Sequence, residues 1–379
     1  MKSDTALLIT NIPTPYRVPL FNELSRQLRE KGLRLKVVFG ALGYPRRKWQ
    51  IDLNAAQFDY AVLHSRKIKY RNPESLSFTY SRLFKTISQD KPFVVIGNGF
   101  SLATTKLWLR SFLTKTPYII WSAAIEDANR SALRRALRKA LTKRAAGFVA
   151  AGTLAKKYLL SLGCQPEDVE IGINTVDTSF YMDKGKEDKS AARENRHLLY
   201  VGALNPRKNV LRLLNVVRLL AEQRRNFVLD VVGDGEEQEN LERYVTENHL
   251  TELVRFHGFH QKEKIKDFYR AADLFLFQTD FDIWGLVLVE AMAAGLPCIS
   301  SIRAGATHDL IKDGTTGFAL DFAEAEKATE KINWILDHPE LSKEMGRIAQ
   351  EFIAKDASLE TSARGFVKAV CRVNEAKER

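Results

Sequence analysis

Short aliphatic runs punctuate the first half of the chain: Leu7 to Thr10, Leu35 to Phe39, Phe93 to Ile96, Tyr118 to Trp121 and Gly147 to Ala150. Runs of this length with little alternation are the signature of strands covered on both faces. Between several of them apolar residues recur at helical spacing, as from Leu20 to Leu28. The second half repeats the pattern, with strands expected near Leu198, Val228, Val254, Leu274, Cys298 and Phe318. Val210, Leu213, Leu214, Val217 and Leu220 mark a helix after the first of these. Buried strands alternating with helices predict an α/β protein with a parallel, doubly wound sheet in each half. A turn at Asn174 to Asp177 and a polar, charged stretch from Asp183 to Asn195 predict a linker. The domains are therefore expected at 1–178 and 195–355.

Composition narrows this picture. A length of 379 residues is enough for two domains, each with its own core. The three cysteines, Cys164, Cys298 and Cys371, form no Cys-x-x-Cys pair, which argues against a disulfide framework and a zinc ribbon and favours a reducing cytoplasm. The apolar run Ala6 to Ile9 is too short for a signal peptide or a membrane span. The net charge of +12 is unevenly placed. Residues 1–180 hold 29 Lys+Arg against 13 Asp+Glu, or +16, and the remainder holds 29 against 33, or −4. Such asymmetry points to an anionic partner for the first half: nucleic acid, a membrane surface or a phosphorylated acceptor.

The segment from Phe281 to Cys298 carries the most chemistry. It opens on a turn with Asp282, enters an apolar helix expected to start near Gly285, places Glu290 in that helix, and stops at Gly295 and Pro297. The amides of Trp284, Gly285 and Leu286 would be free donors at a positive helix end, where a diphosphate fits. A ribose diol suits Glu290 and a sugar hydroxyl suits Asp282. The alternative is a buried helix with Glu290 as a satisfied core carboxylate. Upstream, Val201, Gly202, Ala203 and Leu204 end a strand, and the adjacent cations Arg207 and Lys208 follow. Gly233, Asp234 and Gly235 break another strand, and Phe256, His257 and Gly258 form a turn. Gly305 and the stretch Asp313 to Gly317 complete the order.

These motifs, in this order, resemble the retaining nucleotide-sugar enzymes among the GT-B glycosyltransferases, group 1 or family 4. The resemblance is detailed through the C-terminal half and holds only in outline before it. It implies two facing Rossmann-like domains with an interdomain cleft and a final helix, about 359–379, that returns to the first domain. It implies catalytic roles for Arg207, Lys208 and Asp282. Donor contacts are implied for Gly202, Gly233, Gly258, Phe259, Trp284, Gly285, Leu286 and Glu290, with the nucleobase beside Gly258 and Phe259. Two positions depart from the family pattern: Ala203 stands where relatives carry an arginine, and Asp282 where they usually carry glutamate. Arg207 is the candidate replacement for the first.

In the first half, Arg17 follows the first strand, while Asn98 and Trp121 end later strands and are expected to face the cleft. With Glu126 they form the acceptor-side candidates. Residues Ser131 to Arg144 read as an amphipathic basic helix. Its stripe of Leu133, Leu137 and Leu141 is expected to pack on the sheet, leaving Arg135, Lys139 and Lys143 for an anionic membrane. Asp280 and Asp282 spell the Asp-x-Asp of manganese-dependent enzymes, but a diphosphate site built on cations and a helix end needs no metal, and none is expected. The glycine turn at Gly233 lacks the third glycine of a dinucleotide fingerprint, and Glu236, Glu237 and Glu239 would repel a pyrophosphate. His257 and His260 lack a third zinc ligand nearby.

The sequence thus predicts a retaining glycosyltransferase, without cofactor, that uses a nucleotide-diphosphate sugar, UDP-sugar ahead of GDP-sugar. The expected acceptor is a lipid-linked saccharide in surface polysaccharide or glycolipid assembly, and the expected location is cytoplasmic, peripheral on the inner membrane face. Two rivals use the same residues differently. A GT-B-fold sugar-nucleotide epimerase would convert the donor alone. A basic nucleic-acid-binding protein would explain the charge but leave the C-terminal motifs unused.

Overall fold

The computed structural model describes residues 3–43, 52–68, 77–125, 131–182 and 194–378. The chain forms two compact units, Met1–Val176 with Leu359–Arg379, and Asp177–Ser358. The first is built on a seven-stranded sheet in the spatial order Asp59–Val62, Arg34–Phe39, Thr5–Thr10, Val94–Asn98, Tyr118–Ser122, Gly147–Ala150, Val169–Ile171. Every neighbouring pair in it is parallel. The five aliphatic runs supply its five inner strands. Its edges, Asp59–Val62 and Val169–Ile171, carry polar residues because an edge has one flank open to water, so they lack the continuous apolar pattern.

Thr5–Thr10 shows how the sheet is sealed on both sides. Ala6 and Leu8 point to one face, where they meet Phe21, Leu24 and Leu28 of the helix Arg17–Glu30, and Phe366 and Val370 of the last helix. Leu7 and Ile9 point to the other, against Ala103, Leu107, Ala155 and Leu159. The period of two along a strand makes this alternation possible. The last helix, Leu359–Glu378, is therefore a layer of the first unit.

The second unit has six parallel strands in the spatial order Val254–Gly258, Phe227–Val232, Arg196–Val201, Leu274–Phe277, Cys298–Ser301, Phe318–Leu320. Numbered within the unit, this order is 3-2-1-4-5-6, the doubly wound arrangement of dinucleotide-binding folds. Strand order reverses between Arg196–Val201 and Leu274–Phe277. The loops leaving these two strands diverge to opposite faces and open a crevice at their carboxyl ends. The loop after the first carries Arg207 and Lys208; the loop after the second carries Asp280 and Asp282. Topology alone thus brings together residues separated by some seventy positions.

The last helix approaches the sheet of its unit through a glycine. A Cβ on Gly365 would lie 2.1 Å from the Ile171 carbonyl oxygen, closer than any real contact. Gly365→Ala should therefore push the helix off the strand Val169–Ile171 and destabilise the first unit by about 2 kcal/mol, read as a lowered urea midpoint.

Candidate active site

Lys208 is 6% exposed and stands at the head of the crevice in the second unit. Its Nζ donates to Asp282 Oδ2 at 2.6 Å and lies 4.7 Å from the centre of the Phe277 ring. Arg207 Nη1 donates to the Phe281 carbonyl at 2.7 Å and is 3.5 Å from the same Asp282 oxygen. Two cations from one loop thus converge on one carboxylate from the other. Burial works to raise the Asp282 carboxyl, but Lys208 first, then Arg207 and the Trp284 amide, outweigh it and hold the pKa below the ordinary value.

The backbone fixes Asp282 from both sides. Its amide donates to the Arg303 carbonyl at 3.2 Å, and its carbonyl accepts from the Gly305 amide at 2.9 Å. The Gly305 turn therefore positions the carboxylate, and the Ala306 amide extends the clamp to the Trp284 carbonyl at 2.9 Å. The helix Leu286–Ala293 begins immediately afterwards. Gly285 precedes it with φ +108°, and a Cβ there would sit 2.4 Å from the Phe277 ring, so only glycine fits this entry. One expectation needs correction. The Trp284 amide is not free, since it donates to Asp282 Oδ1 at 3.3 Å. The first-turn amides that follow, from Gly285 and Leu286, are those for which the helix has no carbonyl of its own. The Trp284 side chain is buried, and its indole Nε1 has no acceptor among the described residues.

Glu290 lies one turn further along the same helix as Leu286. Its Oε2 accepts from the Tyr269 hydroxyl at 2.9 Å, and Tyr181 donates to it as well. Burial raises this carboxyl, while the two hydroxyls pull it down. Both tyrosines are buried and meet edge to face at 5.8 Å. Neither was singled out in the sequence, where a tyrosine at helical spacing reads as core.

Asp280 faces a different set of groups. It accepts from Asn209 at 2.7 Å and pairs with Arg212 at 3.2 Å. Arg303 pairs at 2.7 Å with Asp321, whose other oxygen is 3.8 Å from Arg212. The two carboxylates of the Asp-x-Asp are thus held by separate cations, and no group of three metal-ligating side chains occurs among the described residues. The glycine motifs lie along the neighbouring strand ends: the Gly202 amide donates to the Val232 carbonyl at 3.0 Å and the Gly233 amide to the Gly258 carbonyl at 2.9 Å. Phe259 follows, half-buried. His257 and His260 both pack on Phe268. His257 Nε2 binds Asp230 Oδ1 at 2.7 Å, and His197 Nδ1 binds Asp230 Oδ2 at 3.0 Å. This three-strand bridge lowers the Asp230 carboxyl in spite of its burial, and no local spacing along the chain announces it.

The acceptor-side candidates lie in the first unit. Asn98 donates to Thr10 Oγ1 at 3.1 Å, and Arg17 is 3.5 Å from the same hydroxyl. Trp121 is not an open surface at a strand end. It is 3% exposed, packed edge-on against Phe21 at 6.2 Å and Phe366 at 5.0 Å, with the Arg17 guanidinium 4.0 Å from the centre of its ring. A large aromatic ring at the end of an inner strand is covered when helices flank both faces of the sheet. Glu126 lies outside the described residues. The basic helix, Ala132–Thr142, also departs from expectation: Leu141 is buried, but Leu133 and Leu137 are exposed. Arg135 turns toward the Ser161 carbonyl, at 3.3 Å, while Lys139 and Lys143 remain at the surface. No helix among the described residues is long and apolar enough to cross a membrane.

Residues 183–352 match the family model described as glycosyl transferases group 1. Among curated proteins the chain is 28% identical over 193 residues to the N-acetyl-alpha-D-glucosaminyl L-malate synthase of Bacillus anthracis, covering 49% of each. It is 28% identical over 210 residues to the sulfoquinovosyl transferase SQD2 of Arabidopsis thaliana, covering 55% of this chain and 38% of that one. The chain spans about half the length of the curated relatives it matches, or less. Over its whole length it shares a fold with Anabaena Alr3699/HepE in complex with UDP, at TM-score 0.78 and 18% identity, covering 97% of this chain and 99% of that one. The apo lipopolysaccharide outer core galactosyltransferase WaaB superposes with TM-score 0.71 at 16% identity, again covering 97% and 99%. The chain has the GT-B fold, and the segment similar to group 1 glycosyl transferases lies within its second unit.

Asp282→Asn should leave Lys208 buried opposite a neutral amide and cost about 2 kcal/mol of stability at neutral pH. A carboxyl lowered in the folded state stabilises above its unfolded pKa, about 4, and loses that contribution as pH falls through the lower folded value. Urea denaturation should therefore show the gap between variant and wild type closing below about pH 4.

Proposed function

We propose that the chain is a retaining glycosyltransferase that takes a sugar from a nucleotide-diphosphate donor, a UDP-sugar ahead of a GDP-sugar, and attaches it to a hydroxyl of a lipid-linked saccharide. The observation that carries this reading is the meeting of Lys208, Arg207 and Asp282 in front of the helix that bears Glu290. An arrangement of two cations and a helix start suits a diphosphate; a carboxylate about one turn further along suits a ribose diol. The group 1 match and the UDP-bound structural neighbour support the donor class. Similarity to sugar-transferring relatives supports the transfer of a glycosyl group.

The resting ion pair has a consequence for catalysis. A diphosphate that takes Lys208 and Arg207 frees the Asp282 carboxylate to accept from a sugar hydroxyl. The bond from the anomeric carbon to the diphosphate oxygen then breaks, and the leaving charge falls on the two cations and the Gly285 and Leu286 amides. The acceptor oxygen bonds to the anomeric carbon on the same face, and its proton passes to the departing phosphate oxygen, so the protein supplies no strong base. Arg17 and Asn98, in the basic first unit, are the acceptor-side candidates. The +16 of residues 1–180 suits an acceptor confined to an anionic bilayer face and supports reading the enzyme as a peripheral protein of the cytoplasmic side.

A thermal-shift panel of UDP-, GDP- and ADP-sugars tests the donor class, with stabilisation by at least one expected. Glu290→Gln and Lys208→Ala should each lower turnover by about a hundredfold while the protein stays folded. Wild-type rates in both would remove the assignment.

No resident metal is proposed. Asp280 and Asp282 are held by protein cations, and fixed positive groups already face the diphosphate position. Transfer should run unchanged in EDTA; loss of activity restored by manganese would make the Asp-x-Asp a ligand pair.

A further inference from the structure

Glu290 differs from the other carboxylates of this crevice in what it faces. Asp282 meets Lys208 and Arg207, Asp280 meets Arg212, and Asp321 meets Arg303. Glu290 is met instead by two neutral hydroxyls, those of Tyr269, at 2.9 Å, and Tyr181. The three residues come from three helices, Leu286–Ala293, Lys262–Ala271 and Thr178–Tyr181, all of the second unit.

The tyrosines are firmly seated. Tyr269 is fully buried, and its ring meets Phe275 at 5.7 Å and Tyr181 at 5.8 Å, both edge to face. Tyr181 is 6% exposed and meets Phe180 at 5.0 Å. Burial first, and then the charge of Glu290, push both phenols well above their ordinary value, so each stays a donor. Tyr269 has one proton for two acceptors, Glu290 at 2.9 Å and the Val287 carbonyl at 3.3 Å. The nearer, charged acceptor takes it.

Acceptor capacity decides what such a carboxylate can do. An ionised carboxylate accepts about four hydrogen bonds, and the tyrosines fill two of these places. The side chain is only half-buried, and among the described residues no cation acts on its charge. Two acceptor places on a fixed group suit a pair of neighbouring hydroxyls. Without the tyrosines, a long acidic side chain would spread over several rotamers and lose that fixed geometry.

We propose that Tyr269 and Tyr181 are positioning residues for donor recognition, whose hydroxyls fix the Glu290 carboxylate in the orientation that accepts both ribose hydroxyls of the nucleotide. This rests on the ribose role given to Glu290 in the proposed function and extends it to two residues that act through that carboxylate.

The test is titration calorimetry of the full chain with UDP and with 2′,3′-dideoxy-UDP. The wild type should prefer UDP by about tenfold or more, as expected for hydrogen bonds to a charged group. Tyr269→Phe with Tyr181→Phe keeps both rings and removes only the hydroxyls. This variant should bind UDP about tenfold more weakly yet hold the dideoxy analogue within about twofold, so that the preference nearly disappears. In turnover it should raise KM for the donor more than it lowers kcat, because the ribose contact is made in ground state and transition state alike. Tyr181→Phe alone serves if the double variant does not fold, with a smaller loss of preference expected. Equal weakening of both nucleotides in a folded variant would make the tyrosines purely structural and overturn the proposal, as would an unchanged preference. A wild type that binds the two nucleotides alike removes the ribose role of Glu290, and the positioning with it, while the donor class stands. Should GDP be the nucleotide that stabilises the protein, GDP and its dideoxy analogue form the pair. A wild type that binds no nucleotide removes the donor reading itself, and the proposal falls with it.

Discussion

A nearly buried lysine keeps its charge only if a carboxylate faces it, and in this protein that carboxylate arrives from a different loop. The Lys208–Asp282 contact at 2.6 Å is formed at the reversal of strand order, where the fold leaves two strand ends open. The Gly305 clamp, the glycine entry at Gly285 and the Phe277 ring beside Lys208 all fix its geometry. The contact also holds the site's positive charge in place without a ligand.

The substitution of Asp282 for the glutamate usual in the resembled family acquires a meaning here. The shorter side chain reaches Lys208, and its backbone is held to the Arg303–Gly305 turn by two hydrogen bonds. Ala203 is a comparable case. The arginine missing there has no direct replacement, yet Arg207 approaches Asp282 from the same loop, and Arg212 engages Asp280 from the following helix. Positive charge at this strand end is distributed differently from the family pattern.

The first unit separates two uses of basic residues. Arg17 and Arg138 lie over aromatic rings and serve the packing of their own unit. Lys139 and Lys143 lie at the surface, on and just past a helix whose Leu133 and Leu137 are also uncovered.

The sequence by itself determined what depends on near neighbours. Aliphatic runs bounded by turns marked the inner strands of both sheets, and the spacing from Asp282 to Glu290 with the glycine between them marked a loop entering a helix. These are local because strand and helix periods and glycine's freedom at positive φ act over a few residues. The tertiary structure alone decided which side chains meet. Tyr181 and Tyr269 on Glu290, His197 and His257 on Asp230, and Arg212 on Asp280 join positions far apart in the chain, and nothing in local spacing announces such a pair. It also decided which apolar faces are covered. Trp121, expected to be open, is enclosed by Phe21 and Phe366 from two distant helices, while Leu133 and Leu137, expected to be buried, are exposed. An amphipathic pattern states that a face is apolar; whether protein, water or a membrane lies against it depends on the packing of the whole unit.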